Sequence, residues 1–168
     1  MNYKDVINQL NLTPLPEEGG YFRETYRSEK TVISSLGNRK ESTAIYYLIS
    51  PESFSGLHWV DQEEIFHFYA GNPVEMFQID KDGNGKKIII GNDIFNSQQP
   101  QVIVPGATWQ GTRLLSSSTD AWALLGCTVA PGFEIENFHI EDRARLIRKY
   151  PHLGEDIKRF TSDHLKSF

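Results

Sequence analysis

His58 and Glu64 lie in the segment Gly56-Leu57-His58-Trp59-Val60-Asp61-Gln62-Glu63-Glu64-Ile65-Phe66-His67-Phe68-Tyr69-Ala70-Gly71. Aromatic and β-branched residues flank the polar turn at Asp61-Gln62-Glu63, so the segment predicts two short strands folded back on each other. That geometry can set an imidazole beside a carboxylate. An imidazole with an ordinary pKa of about 6.5 accepts a proton at neutral pH, and a neighbouring carboxylate orients it and favours its charged form. The pair is therefore a candidate for general acid–base chemistry. The other chemistry is metal binding. His58, Glu64 and Gln110, which follows the turn Pro105-Gly106, offer three donors to a weak divalent ion completed by water. An amide oxygen is a poor donor, however, and transition metals prefer more imidazole or carboxylate ligands. A histidine–glutamate pair that only supports an apolar pocket is the plainer alternative.

Alternation along the strands sorts these side chains by face. If Glu64 points inward, so do Phe66 and Phe68, while Ile65, His67 and Tyr69 point out. His58 and Val60 share a face that excludes Trp59. His58, Glu64, Phe66, Phe68 and Gln110 then line a concave, largely apolar small-molecule pocket. A second binding candidate is Glu18-Gly19-Gly20-Tyr21-Phe22-Arg23-Glu24-Thr25-Tyr26. Its glycines permit positive φ, and Arg23 can clamp a carboxylate or phosphate. Alternation groups Tyr21 with Arg23 and Thr25, opposite Phe22, Glu24 and Tyr26. Tyr21, Tyr46 and Tyr47 are candidates to return a proton to a ligand.

The elements that must position these residues are mostly short strands. Tyr3–Leu10 has an amphipathic helical pattern. Strands are expected at Tyr21–Arg27, Ala44–Ile49, His58–Val60, Glu64–Tyr69, Val74–Asp80 and Lys87–Gly91. Gln101–Val104, Thr108–Leu114, Ala121–Val129 and Phe133–Phe138 complete the series. Glu141–Tyr150 reads as a helix that stops before Pro151 and resumes weakly through Ile157 and Phe160. The expectation is one all-β domain over residues 1–168, a sandwich or barrel with short N- and C-terminal helices.

Composition narrows the function classes. A net charge of -5 with no basic patch argues against nucleic-acid partners. No apolar run approaches the roughly 20 residues of a membrane helix, and the first residues lack an apolar signal core, so a cytoplasmic location is expected. The single cysteine, Cys127, reads as a buried core residue. His139, His152 and His164 are scattered without ligand spacing. Trp59, Trp109 and Trp122 read as packing residues. Ser116–Ser118 has no nucleophile elbow around it. The run Asp80-Lys81-Asp82-Gly83-Asn84 lacks the closing glutamate of a calcium loop and reads as a hairpin turn.

At these residues the chain resembles the cupin superfamily. His58, Glu64 and Gly71 stand at positions of its first motif, with Val60 in place of the second histidine. Pro105-Gly106 matches the turn of its second motif, with Gln110 where a third histidine binds metal. The phrases Glu18–Ser28, Asp61–Gly71 and Leu125–Glu134 resemble one subgroup, the DUF985 or Cupin_5 family. The resemblance implies an RmlC-like jelly-roll β-barrel (a double-stranded β-helix) and commonly a homodimer, and it implies little about the reaction. Gly56-Leu57-His58 also looks like the dTDP-sugar epimerase branch, in which the matching histidine is a metal-independent base. That implies an epimerase or isomerase of a sugar or nucleotide-sugar-like ligand, with His58 as base and Glu64 orienting it. The alternatives are a non-catalytic ligand-binding or sensing cupin, or a weakly metal-dependent enzyme.

Overall fold

The period-two pattern of the strand rich in small and branched residues sets the architecture. Ala123, Leu125, Cys127 and Val129 are buried on one face, and their neighbours Leu124 and Thr128 are half-buried on the other. This strand therefore has one face on a core and one turned outward. The structure is a computed structural model that describes residues 2–161.

A helix, α1 (Tyr3–Leu10), opens the chain. Asn2 caps it by accepting from the Lys4 and Asp5 N–H groups, while Asp5 accepts from the Asn2 N–H. The strands follow as β1 (Thr13–Pro14), β2 (Tyr21–Arg27), β3 (Thr31–Ser34), β4 (Gly37–Lys40), β5 (Thr43–Ile49), β6 (Ser55–Val60) and β7 (Glu63–Gly71). Next come β8 (Val74–Ile79), β9 (Gly85–Ile90), β10 (Gln101–Val104), β11 (Trp109–Leu114), β12 (Ala123–Ala130) and β13 (Phe138–Ile140). Helices α2 (Arg143–Lys149) and α3 (Gly154–Arg159) close the described chain, α2 capped by Asp142.

Two antiparallel sheets face each other in the order β1-β2-β5-β12-β7-β10 and β13-β6-β11-β8-β9. Their inner faces share one apolar core. Tyr47, Phe66 and Leu125 come from the first sheet, Val74, Met76 and Ile90 from the second. Burying each such side chain stabilises the fold by about 1.5–3 kcal/mol. The outer face of the second sheet packs Leu57, Phe77, Ile79 and Trp109 on Leu146, Tyr150, Ile157 and Phe160 of the C-terminal helical segment. α1 covers Leu48 on the outer face of the first sheet with Tyr3 and Val6.

The all-β jelly-roll expectation holds, with one correction to its closure. Among the described residues the sheets are joined along their strands only by the isolated bridge Ile90–Gln99, so the structure is an open two-sheet sandwich and not a closed barrel. Two further differences are local. The hairpin β3–β4 was not expected. Conversely, Phe133–Phe138 is not a strand: the Phe133 N–H donates to Thr43 Oγ1 and the Asn137 N–H to the Glu134 carbonyl, which turns the chain before β13 starts. Among the described residues no helix is long and apolar enough to cross a membrane.

Candidate functional site

Local backbone chemistry places the first polar group. Gly19 (φ +94°) and Gly20 (φ +72°) adopt left-handed conformations that cost other residues energy. A Cβ on Gly20 would stand 2.7 Å from the Tyr47 ring. Without one, the turn lies flat on β5, and the Tyr47 hydroxyl donates to the Gly19 carbonyl at 2.8 Å. This closeness fixes Glu18, whose Oε1 accepts from Ser55 Oγ at 2.9 Å.

The other groups come from both sheets. His58 on β6 and Gln110 on β11 are direct partners across the ladder. Glu64 reaches them from β7. Gln110 Nε2 lies 2.8 Å from His58 Nε2 and 3.1 Å from Glu64 Oε2. His58 Nδ1 lies 2.8 Å from the Gly56 carbonyl. A carbonyl only accepts, so Nδ1 carries the ring proton and Nε2 accepts from the amide. One Gln110 amide thus donates to the imidazole and the carboxylate together, while its own Oε1 has no partner. Glu18 Oε2 is 3.8 Å from His58 Nε2, and the Phe138 ring covers the imidazole at 4.9 Å.

Glu18 and Glu64 face a cavity of about 100 Å³ whose walls are mainly apolar: Leu15, Phe22, Ile45, Val60, Val129, Phe133, Ile135 and Phe138. Glu24, Thr43 and Cys127 complete the polar lining, which contains no lysine or arginine. At the mouth, Ile135 is 69% exposed although it also lines the cavity. Arg27 straps this segment down. Its Nη1 meets Glu134 at 2.7 Å, and its Nε and Nη2 grip Glu24. Nη2 also donates to the Phe133 carbonyl.

Burial sets the electrostatics. It pushes the Glu64 carboxyl up to about 6 and Glu18 adds to the push, whereas His58 and Gln110 pull it partly back. Burial pushes the Cys127 thiol well above its ordinary value, and the Glu64 carboxylate adds to that. The Tyr47 hydroxyl is raised by burial and by the Glu18 charge.

The expected residues fall into three groups. His58, Glu64 and Gln110 do meet, but with an amide nitrogen between imidazole and carboxylate. His58 is buried and, like Gln110, is not part of the cavity lining. Phe66 and Phe68 point inward as expected, yet pack into the core and not onto the cavity. Tyr21 and Arg23 point the other way: Phe22 and Glu24 line the cavity instead. Tyr21 packs with the α1 cluster, and Arg23 lies over the Tyr46 ring at 5.4 Å. Of the three tyrosines, Tyr47 sets its hydroxyl against the Glu18 turn. His67 faces outward and bonds Thr128 Oγ1. His139 stacks on Trp59 and pairs with Asp61, and His152 bonds the Gly83 carbonyl. His164 lies outside the described residues. Glu18 opens the segment expected to bind, but the expectation rested on Arg23 there, and the Gly19-Gly20 pair was the available signal for Glu18.

The donor set does not fit a divalent ion. His58 Nε2 and Glu64 Oε2 both converge on an amide nitrogen, which is no metal ligand, and Val60 contributes no donor. Among the described residues no group of three or more His, Cys, Asp or Glu is arranged to hold a metal.

Residues 4–141 match the family Cupin_5, described as Cupin superfamily (DUF985). An uncharacterized protein of Saccharomyces cerevisiae is 34% identical over 146 residues, spanning 80% of this chain and 72% of the yeast protein. A hypothetical protein from Leishmania major superposes with a TM-score of 0.89 at 30% identity, over 97% of this chain and 100% of that one. A protein from Shewanella oneidensis gives 0.88 at 28% identity, over 96% and 98%. Oxalate decarboxylase from Bacillus subtilis shares the fold at a TM-score of 0.55 and 14% identity, over 95% of this chain and 38% of that one.

Proposed function

This chain belongs to the DUF985 family of the cupin superfamily, and from that premise we propose that it binds a small molecule in the Glu18–Glu64 cavity and moves a proton on it. The reaction class is isomerisation or epimerisation next to a carbonyl. Glu64 is the group that exchanges the proton. One observation carries this reading: a buried carboxylate facing an apolar cavity, with its pKa raised to about 6. A group that titrates close to neutrality both accepts and returns a proton, and its apolar surroundings keep it from being levelled by water. Glu64 takes a proton from the carbon beside the carbonyl, the C–H electrons pass into the enolate, and the carboxyl then gives a proton back to carbon.

His58 and Gln110 act behind Glu64 as positioning residues. The base role that the family resemblance gave to the histidine has less support, because Nε2 is occupied by Gln110 and the ring lies beneath Phe138. A phosphorylated or nucleotide-linked sugar has less support too, since a diphosphate needs basic groups and the lining has none. A small carbonyl compound without phosphate suits the volume and the lining better. The test uses hydroxyacetone and dihydroxyacetone in D2O, followed by proton NMR. Wild-type protein accelerates loss of the signal from the carbon beside the carbonyl, and Glu64→Gln abolishes the acceleration. Exchange that survives Glu64→Gln removes Glu64 from the role. Binding of either probe without exchange leaves the non-catalytic ligand-binding reading in its place.

A further inference from the structure

We infer that the natural ligand of the cavity carries a positive charge: it is a small amine or quaternary ammonium compound seated between the carboxylates of Glu18 and Glu64 and the phenyl rings around them. This inference rests on reading the cavity as a ligand site, and it adds the charge class of the occupant.

Three carboxylates line the cavity, and only one is paired with an arginine or lysine. Glu24 is gripped by Arg27 through both oxygens, at 3.0 and 2.9 Å. Glu64 is 6% exposed. Its Oε2 receives the Gln110 amide, and the partner of Oε1 is the weak thiol donor of Cys127 at 3.7 Å. Glu64 lines the cavity, and this buried oxygen has no strong donor. Glu18 has the Ser55 hydroxyl on Oε1, and its Oε2 lies 3.8 Å from His58 Nε2, which the Gln110 amide already occupies. Neither Glu18 nor Glu64 has a lysine or arginine beside it in the lining, although a desolvated carboxylate gains most from a cation.

The walls supply a second, independent preference. Phe22, Phe133 and Phe138 line the same space, and aromatic faces attract ammonium groups most strongly where water is excluded. Coulomb interactions are also stronger in such a site than in water, so an anion is rejected by the same charges that hold a cation. A volume of about 100 Å³ limits the occupant to a few heavy atoms.

The test is isothermal titration of the intact protein at pH 7.5 with three compounds of nearly equal shape: isopentylamine, isopentanol and isovalerate. The amine binds at least about tenfold more tightly than the alcohol, and the carboxylate binds most weakly. Glu64→Gln and, separately, Glu18→Gln weaken the amine several-fold while leaving the alcohol unchanged. Isovalerate binding as tightly as the amine overturns the charge assignment, and so does an amine affinity unchanged in both variants. Alcohol and amine binding equally refutes the charge class and leaves the cavity as a ligand site. If none of the three binds at millimolar concentration, the cavity reading and this inference fail together.

Discussion

Replacing Glu64 by glutamine should stabilise the protein at alkaline pH and do nothing at acid pH. Folding moves this carboxyl from an ordinary value of 4.5 to about 6. The folded state then binds the proton more tightly than the unfolded state, so the contribution of Glu64 to stability is fully present below about 4.5 and is lost as the pH rises through 6. A shift of roughly 1.5 units corresponds to about 2 kcal/mol at pH 8. Glutamine has the same shape and no charge to desolvate. Glu64→Gln should therefore be about 2 kcal/mol more stable than wild type at pH 8, a rise in Tm of about 4–8 °C for a chain of this size. At pH 4 the two proteins should melt together. Calorimetry of both proteins at several pH values between 4 and 8 provides the assay, and the difference between them cancels every other titrating group. A variant that is less stable at pH 8, or a difference independent of pH, would refute the claim that Glu64 is held ionised at a cost. The gain in stability on removing it is the pattern expected of a group retained for function.

Other perturbations test the supporting structure. Gln110→Leu removes a hydrogen bond to a buried charge and should cost about 1.5–3 kcal/mol by denaturant melts at pH 8, less at pH 4.5. Gly20→Ala places a methyl group against the Tyr47 ring at a positive φ, and should destabilise by more than about 1 kcal/mol in the same melts. Cys127 lines the cavity, so its rate of labelling by a small neutral thiol reagent reads access to that space. The labelling should be slow in wild type and several-fold faster in Arg27→Ala, which releases the strap at the mouth; equal rates would show that Arg27 does not control entry.

Much of the fold was legible because it follows alternation. The strands β2, β5, β7, β8, β10 and β12 coincide with expected segments, since each has one face on the core. The hairpin β3–β4 was missed because it is not buried on either face: Ile33 is 90% exposed, so no period-two signal forms. Phe133–Phe138 shows the converse. Its apolar residues line a cavity instead of a strand face, and its backbone bonds go to Thr43 and to its own turn.

The site was half legible for related reasons. Alternation grouped Tyr21 with Arg23 and Phe22 with Glu24 but could not say which set faces inward, because both pair an aromatic with a charge. That choice is made by β5, where Phe22 sits beside Tyr47 and Glu24 beside Ile45. The Gln110 contact depends on a ladder with a shifted register between Gln110 and Thr112, which no spacing rule reveals. Glu18 needed the glycine turn to be seen folded against Tyr47.

The central claim, that Glu64 is a buried proton-exchanging group facing the ligand, is tested most directly by carboxyl carbon-13 NMR. Glutamate-labelled wild-type protein is titrated from pH 4 to 8, with the Glu64 resonance assigned by its absence from Glu64→Gln. A midpoint near 6 is predicted, moving down when isopentylamine is bound. A midpoint at or below 4.5 would contradict the account.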